Sequence, residues 1–109
     1  LGELLDTAKT KEETISNLVG KAEALKNESK FKESISEWKK LRDILPNNDY
    51  VVQQLALVQY KSKYPNATLA LGEALNTIQS LNPKKSLDLE TIGITGAIYK
   101  NLFKLNINF

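Results

Sequence analysis

The chain contains neither cysteine nor histidine among its 109 residues. Without cysteine it has no disulfide bond, thiolate nucleophile or thiolate metal ligand, and without histidine it lacks the commonest general base and metal ligand. Carboxylates, lysines, tyrosines and serines remain, but most hydrolytic and metal-assisted mechanisms lose a preferred group. The composition therefore predicts a protein that is not an enzyme and that binds no cofactor or metal.

Arginine is nearly absent as well. Only Arg42 among the 15 basic residues is an arginine, and the net charge is only +2. Because surfaces that read nucleic acid carry clustered Arg and Lys, no nucleic-acid partner is expected. No apolar run approaches the roughly 20 residues that span a bilayer, and no signal-peptide pattern opens the chain. We expect no membrane partner and a location in the cytoplasm.

The chain lacks methionine and stops at Asn-Ile-Asn-Phe without a polar tail. We therefore expect a single domain over residues 1–109 that is part of a longer protein. Within it, residues 50–65, YVVQQLALVQYKSKYP, are the most apolar stretch. Val51, Val52, Leu55 and Val58 cannot all fall on one stripe of a helix, so this helix is expected to be covered from two directions.

Helical spacing of apolar residues predicts four further helices and no strand, which makes the fold class all-α. The predicted ranges are 11–27, 30–45, 67–81 and 86–104. Residues 1–9 are either the end of a preceding helix or a frayed first turn. Trp38 lies in line with Phe31, Ile35 and Leu45 on one helix face, so it is expected to be a core residue.

Capping residues are expected at the start of each of these helices. Thr10 and Glu13 have the capping-box spacing before the first. For the later helices the candidate N-caps are Asp49, then Asn66 or Thr68, then Ser86 or Asp88. Acidic residues in the first turns, such as Glu12, are explained by the helix dipole without any acid–base role.

An internal repeat indicates the type of helical fold more strongly than any single residue does. Pro46 and Pro83 end comparable segments and are 37 residues apart, against about 34 in a tetratricopeptide repeat. Ala22, Ala56 and Gly96 occupy corresponding small positions, with the large residues Leu18, Val52 and Ile92 before them. In these features the chain resembles the tetratricopeptide repeat family, although Gln59 departs from a position that is usually bulky.

This resemblance implies a right-handed α-solenoid of antiparallel helix pairs with about five main helices. The pairs would cover residues 11–46 and 49–82, with residues 86–105 as an unpaired last helix. Gly93 and Gly96 would then allow a close approach of helices. The solenoid would lack a cap at this end, so we expect an apolar surface around Ile98, Leu102 and Phe103 that self-associates or is covered by other residues.

A narrower resemblance covers most of the chain. The strings QQLALVQYKSKYPNATLALGEAL and LDLETIGITGAIYKNLFKL are similar to the TRAF-binding helical repeat region of apoptosis signal-regulating kinases, which also occurs in bacterial repeat proteins. This implies a regulatory scaffold in signalling, or a stress or defence module in bacteria. The bias towards Lys, Asn and Ile favours a bacterial source.

The first helices of such pairs line a concave surface that usually holds a peptide or a neighbouring domain. The residues expected to line it are Glu23, Lys26, Asn27, Tyr50, Gln53, Leu57, Tyr60, Lys61, Lys100 and Asn101. Lys26, Lys61 and Lys100 recur near the same end of successive helices and would attract an acidic segment, or they merely offset helix dipoles. Two alternatives stay open: a nucleotide-binding or enzymatic accessory module, and a structural spacer without a ligand.

Overall fold

The computed structural model describes the backbone of residues 2–82 and 88–105, and the side chains of residues 11–82 and 88–105. This part of the chain forms five helices and no strand, so the prediction of an all-α fold is confirmed. The helices are α1 (Gly2–Asn27), α2 (Phe31–Ile44), α3 (Asp49–Ser62), α4 (Ala67–Gln79) and α5 (Leu89–Lys104). None of them is long and apolar enough to cross a membrane.

The start of α1 corrects the first sequence prediction. The helix begins at Gly2 rather than near residue 11, so Thr10 lies inside it and is not an N-cap. Residues 2–9 are neither a separate helix nor a frayed turn. Leucine, alanine, lysine and glutamate are good helix formers and make up most of this segment, so no residue in it stops the helix.

Side-chain caps begin α3, α4 and α5, whereas Lys30 precedes α2 without a side-chain capping hydrogen bond. Asn48, not Asp49, caps α3 by accepting the Val51 N–H at 3.1 Å. Asn66 caps α4 and Asp88 caps α5 in the same way. Asp49 instead lies in the first turn of α3, where its charge favours the helix dipole. Ser86 and Pro83, which were expected at the start of α5 and at the preceding stop, lie outside the described residues.

Helix α3 joins two hydrophobic clusters and packs against α2, α4 and α5. Its buried residues on one side join Trp38 and Leu41 of α2 and Ala22 of α1. Ala56, on its other side, joins the apolar residues of α4 and α5. The expectation that α3 is covered from two directions is confirmed, and Trp38 is a core residue with no exposed surface.

Small residues allow α1 and α2 to approach closely. Ala22 and Ser34 are fully buried, and the Ser34 hydroxyl donates a hydrogen bond to the Ala22 carbonyl at 2.8 Å. Gln59, the departure from the repeat pattern, is buried as well. Its side-chain oxygen accepts from the Thr77 hydroxyl at 2.6 Å, so a polar pair between α3 and α4 replaces the usual bulky contact.

Helix α5 contradicts two expectations. Gly93 and Gly96 are exposed, and a Cβ added to either would meet nothing within 4 Å, so neither marks a close helix approach. Ile98 and Leu102 are buried at 0% and 2% exposure, and only Phe103 of the expected exposed trio lies open, at 83%. The reason is that α3 and α4 both pack on the face of α5 that carries Ile98 and Leu102.

Candidate functional site

The residues expected to line the concave surface fall into groups with different surroundings. Glu23 and Tyr50 form one contact between α1 and α3, in which the Tyr50 hydroxyl donates to the Glu23 carboxylate. Beside it, the Lys26 ammonium donates to the Gln54 side-chain oxygen at 2.7 Å. Asn27 is exposed at the end of α1. The Tyr50–Glu23 and Lys26–Gln54 hydrogen bonds therefore link α1 to α3 at the start of the groove.

Tyr50 is half-exposed, and its ring meets that of Trp38 edge-on with centroids 5.9 Å apart. Partial burial raises the pKa of Tyr50 to about 12, and the hydrogen bond to Glu23 together with the charges of Glu23 and Glu90 adds to the rise. Glu90 belongs to α5, so negative charges from two other helices, α1 and α5, act on this phenol. Ionised Tyr50 would carry a negative charge beside two carboxylates.

A spectrophotometric titration of the tyrosines is expected to show Tyr50 ionising with a midpoint near pH 12. Since the pKa is higher in the folded than in the unfolded state, Tyr50 stabilises the fold fully below about pH 10, and this contribution is lost as the pH rises towards 12. Glu23→Gln is expected to lower the midpoint, because it removes a neighbouring charge. If the ionisation near pH 12 is still present in Tyr50→Phe, its assignment to Tyr50 is wrong.

Gln53 is not exposed on the groove, contrary to expectation. It is only 4% exposed, and its amide nitrogen donates to the Thr91 hydroxyl at 2.9 Å and to the Asp88 carboxylate at 3.2 Å. Asp88 is also the N-cap of α5. This side chain thus ties α3 to the start of α5. Leu57, on the next turn of α3, is half-buried against the α4–α5 core.

Three of the four remaining candidates lie at the other end of the groove, where α3 and α5 end and α2 and α4 begin. Tyr60, Lys61 and Asn101 lie around one cavity of about 380 Å³, which we call the lysine pocket. Its other lining residues are Phe31, Lys63, Ala67, Leu71, Lys104 and Leu105. Lys100 is exposed but is not a lining residue of this pocket.

The lysine pocket combines positive charge with an apolar surface. Lys61, Lys63 and Lys104 line it, whereas none of its lining residues is acidic. None of the three lysines forms an ion pair with a side chain that the structure describes. Like charges that share a cavity repel one another, so an anionic group would relieve this repulsion. Phe31, Tyr60 and Leu71 provide an apolar contact for the rest of such a ligand.

Sequence reasoning missed Lys63, Lys104 and Phe31. The signal for Lys104 was available, because residues at i and i+3 share a helix face and Asn101 was already a candidate. Lys63 follows the end of α3 in a left-handed conformation, φ 54°, which apolar spacing does not predict. Phe31 was expected only as a core residue, and it does pack on the α1–α3 cluster as well as lining the pocket.

Other kinds of site receive no support from the described residues. No group of three or more Asp and Glu side chains in this part of the chain could hold a metal ion. The Lys26, Lys61 and Lys100 row does not form one patch, because Lys26 donates to Gln54 and Lys100 lies outside the pocket that contains Lys61. The lysine pocket is therefore the best-defined candidate site.

Comparison with known protein families finds a match over most of the chain. The model of the family described as TPR-S, Tetratricopeptide Repeats-Sensor, matches residues 30–108. No curated protein and no solved structure matches the chain. The family model covers well over half of the 109 residues and includes helices α2 to α5. The chain belongs to the TPR-S, Tetratricopeptide Repeats-Sensor, family.

Proposed function

We propose that this chain is a non-catalytic interaction module of a signalling or stress- and defence-related regulatory protein, and that it binds an acidic protein segment at the lysine pocket. Tetratricopeptide-type repeats are generally modules for protein–protein interaction, and the family description adds the word sensor. The resemblance to the TRAF-binding region of apoptosis signal-regulating kinases and the bacterial composition bias support a cytoplasmic regulatory role. The observation that carries the proposal is the lysine pocket.

The pocket favours a segment that combines a carboxylate with an apolar side chain. Three ammonium groups lie around the cavity, and Leu71 and Ala67 at the start of α4 contribute apolar surface. A cavity of about 380 Å³ holds more than one side chain, so a leucine and an adjacent glutamate fit together. The carboxylate would accept hydrogen bonds from the lysines, and burial of the leucine would supply apolar contact.

The proposal predicts binding of a short fluorescein-labelled peptide of alternating glutamate and leucine, measured by fluorescence anisotropy. Lys61→Glu and Lys104→Glu are each expected to weaken binding by at least about tenfold, because a repulsive charge replaces an attractive one. Added salt is expected to weaken binding further, since the lysines are in contact with solvent. A peptide with lysine in place of glutamate is expected not to bind.

Two matched variants test the location of the site. Lys11→Glu makes the same charge change on the exposed part of α1, and Lys100→Glu makes it four residues before Lys104 on α5. Both are expected to bind the peptide within about threefold of the unmodified protein. Equal loss in all four variants would show only a general charge effect and would overturn the proposal. If a nucleoside triphosphate displaces the peptide from the unmodified protein and does not bind to Lys61→Glu, the pocket would instead be a nucleotide site.

We also propose that the chain self-associates through the C-terminal end of the helical stack. Apolar side chains remain exposed on α5, whereas the exposed residues of α1 from residue 11 onwards are polar or small. Solenoids normally cover an apolar end with a polar capping element. The α1 side therefore resembles a capped end and the α5 side an uncovered one.

A further inference from the structure

The outer face of α5 carries a regular apolar stripe. Leu89 and Phe103 are 84% and 83% exposed, and Ile92 and Tyr99 are 45% and 42% exposed. Gly96 completes the series, which advances by three and four residues alternately. We call these five positions the α5 stripe. This spacing is that of the a and d positions of a helix that packs against another helix.

The stripe continues into a groove between α4 and α5. Leu69, which is 53% exposed, lines this groove with Leu75, Gly72 and Tyr99, and its volume is about 490 Å³. A helix laid along α5 would therefore contact α4 as well. None of the described helices occupies this position, so the described part of the chain leaves this apolar surface uncovered.

The occupant we propose is a second copy of this chain, with the two α5 helices packed antiparallel about a two-fold axis. This inference rests on the proposed self-association and specifies its surface and geometry. Head-to-tail stacking receives less support, because from residue 11 onwards the exposed side chains of α1 are polar or small and offer no apolar surface to the α5 stripe. A two-fold contact uses the same surface in both copies and closes into a dimer.

The shapes along the stripe support this arrangement. Gly96 has open space around it, with nothing within 4 Å of an added Cβ, and Tyr99 protrudes one turn away. In an antiparallel pair, Tyr99 of one copy lies over Gly96 of the other. The same register places Ile92 opposite Phe103 of the second copy. At these four positions large side chains thus meet small or medium ones, as close packing requires.

The charges at the two ends of α5 favour antiparallel over parallel packing of the two α5 helices. Helix α5 has Asp88 and Glu90 at its start and Lys100 and Lys104 near its end. A parallel pair would place like charges beside one another at both ends. An antiparallel pair brings the acidic start of one helix towards the basic end of the other, which is attractive over the Debye length of about 8 Å at physiological salt.

The exposed area indicates a weak dimer. Four side chains of this size present on the order of 500 Å² per copy, and two copies would bury about 1,000 Å², the lower limit of specific interfaces. We therefore expect a dissociation constant on the order of 10–100 μM. Sedimentation over a concentration range that brackets this value is expected to show a reversible equilibrium between monomer and dimer.

Ile92→Asp and Phe103→Asp are each expected to raise the dissociation constant at least about thirtyfold, because each places a carboxylate in an apolar contact that occurs twice in the dimer. Tyr64→Asp is the control, since Tyr64 is 54% exposed but lies in the turn after α3. It is expected to leave the equilibrium unchanged. A monomer at every concentration would overturn both self-association and the α5 contact, whereas a dimer that persists in both α5 variants would overturn only the contact.

Orientation is tested by disulfide formation, for which the absence of native cysteine is an advantage. When Ile92→Cys and Phe103→Cys proteins are mixed and oxidised, the antiparallel register predicts that the mixed disulfide forms faster than either symmetric one. Faster formation of both symmetric disulfides would show a parallel pair and overturn the proposed geometry. Peptide binding at the lysine pocket, measured on the same variants, is expected to persist, which separates this inference from the peptide proposal.

Discussion

Replacing Trp38 by alanine is expected to lower the free energy of unfolding by about 3–5 kcal/mol. Trp38 is fully buried and packs in the cluster that joins α1, α2 and α3, with the Tyr50 ring edge-on to it. The substitution removes the largest side chain of that cluster and leaves a cavity that the surrounding helices cannot close without losing other contacts. Since domains of this size are stable by only about 5–15 kcal/mol, the variant would be close to unfolding.

Urea denaturation followed by far-ultraviolet circular dichroism measures this change, because the signal does not depend on the tryptophan. Trp38→Phe is expected to lose much less stability, since a ring remains and the removed indole N–H has no hydrogen-bond partner among the described residues. Lys39→Ala, on the exposed face of the same helix, is the surface control and is expected to change the free energy of unfolding by at most about 0.5 kcal/mol. A loss below about 1 kcal/mol for Trp38→Ala would mean that this cluster does not hold the helices together.

Sequence reasoning predicted the buried residues of a helix well where the spacing of its apolar residues allows only one buried arrangement. Val51, Val52, Leu55 and Val58 are too widely spread around a helix to lie on a surface, and all four are buried in α3. Trp38 follows from the single apolar face of α2. The beginning of α1 was not predictable in this way, because a capping pattern such as that of Thr10 and Glu13 can occur inside a helix whose preceding residues favour helix formation.

The candidate site was predicted in part. Tyr60, Lys61 and Asn101 lie together around the lysine pocket, whereas Gln53 is buried and Lys100 lies outside the pocket. Both the burial of Gln53 and the position of Lys100 depend on how α3 and α5 are oriented towards each other, and these helices are far apart in the sequence. Gln53 forms its hydrogen bonds with residues of α5, and no pattern within α3 indicates that partner. The rotation of α5 about its axis likewise decides whether Lys100 or Lys104 reaches the pocket.

Helix α5 shows why that rotation could not be read from the sequence. Ile94, Ile98 and Leu102 form one apolar stripe, and the α5 stripe forms another. Either could face the rest of the protein on hydrophobicity alone. The structure buries the first against α3 and α4, and the polar bond between Gln53 and Thr91 fixes the same orientation. The sequence analysis expected Leu102 to be exposed, whereas the structure places it on the buried face.

Adjacent residues on these two faces are therefore expected to respond in opposite ways to the same substitution. Leu102→Asp is expected to lower the free energy of unfolding by at least about 4 kcal/mol, because it buries a carboxylate without a cation to pair with it. Phe103→Asp is expected to change it by no more than about 0.5 kcal/mol, since the side chain is 83% exposed. Leu102 itself is only 2% exposed.

Urea denaturation measures this difference at a protein concentration of about 2 μM, where the α5 dimer is dissociated if its dissociation constant lies in the expected range. Leu102→Ala separates the effect of charge from that of lost volume and is expected to fall between the two, with a loss of about 2–4 kcal/mol. If Phe103→Asp unfolds the protein while Leu102→Asp does not, α5 is rotated by roughly a third of a turn from the described orientation. Its outer stripe would then be core, and Leu102 would lie on the surface open to a partner.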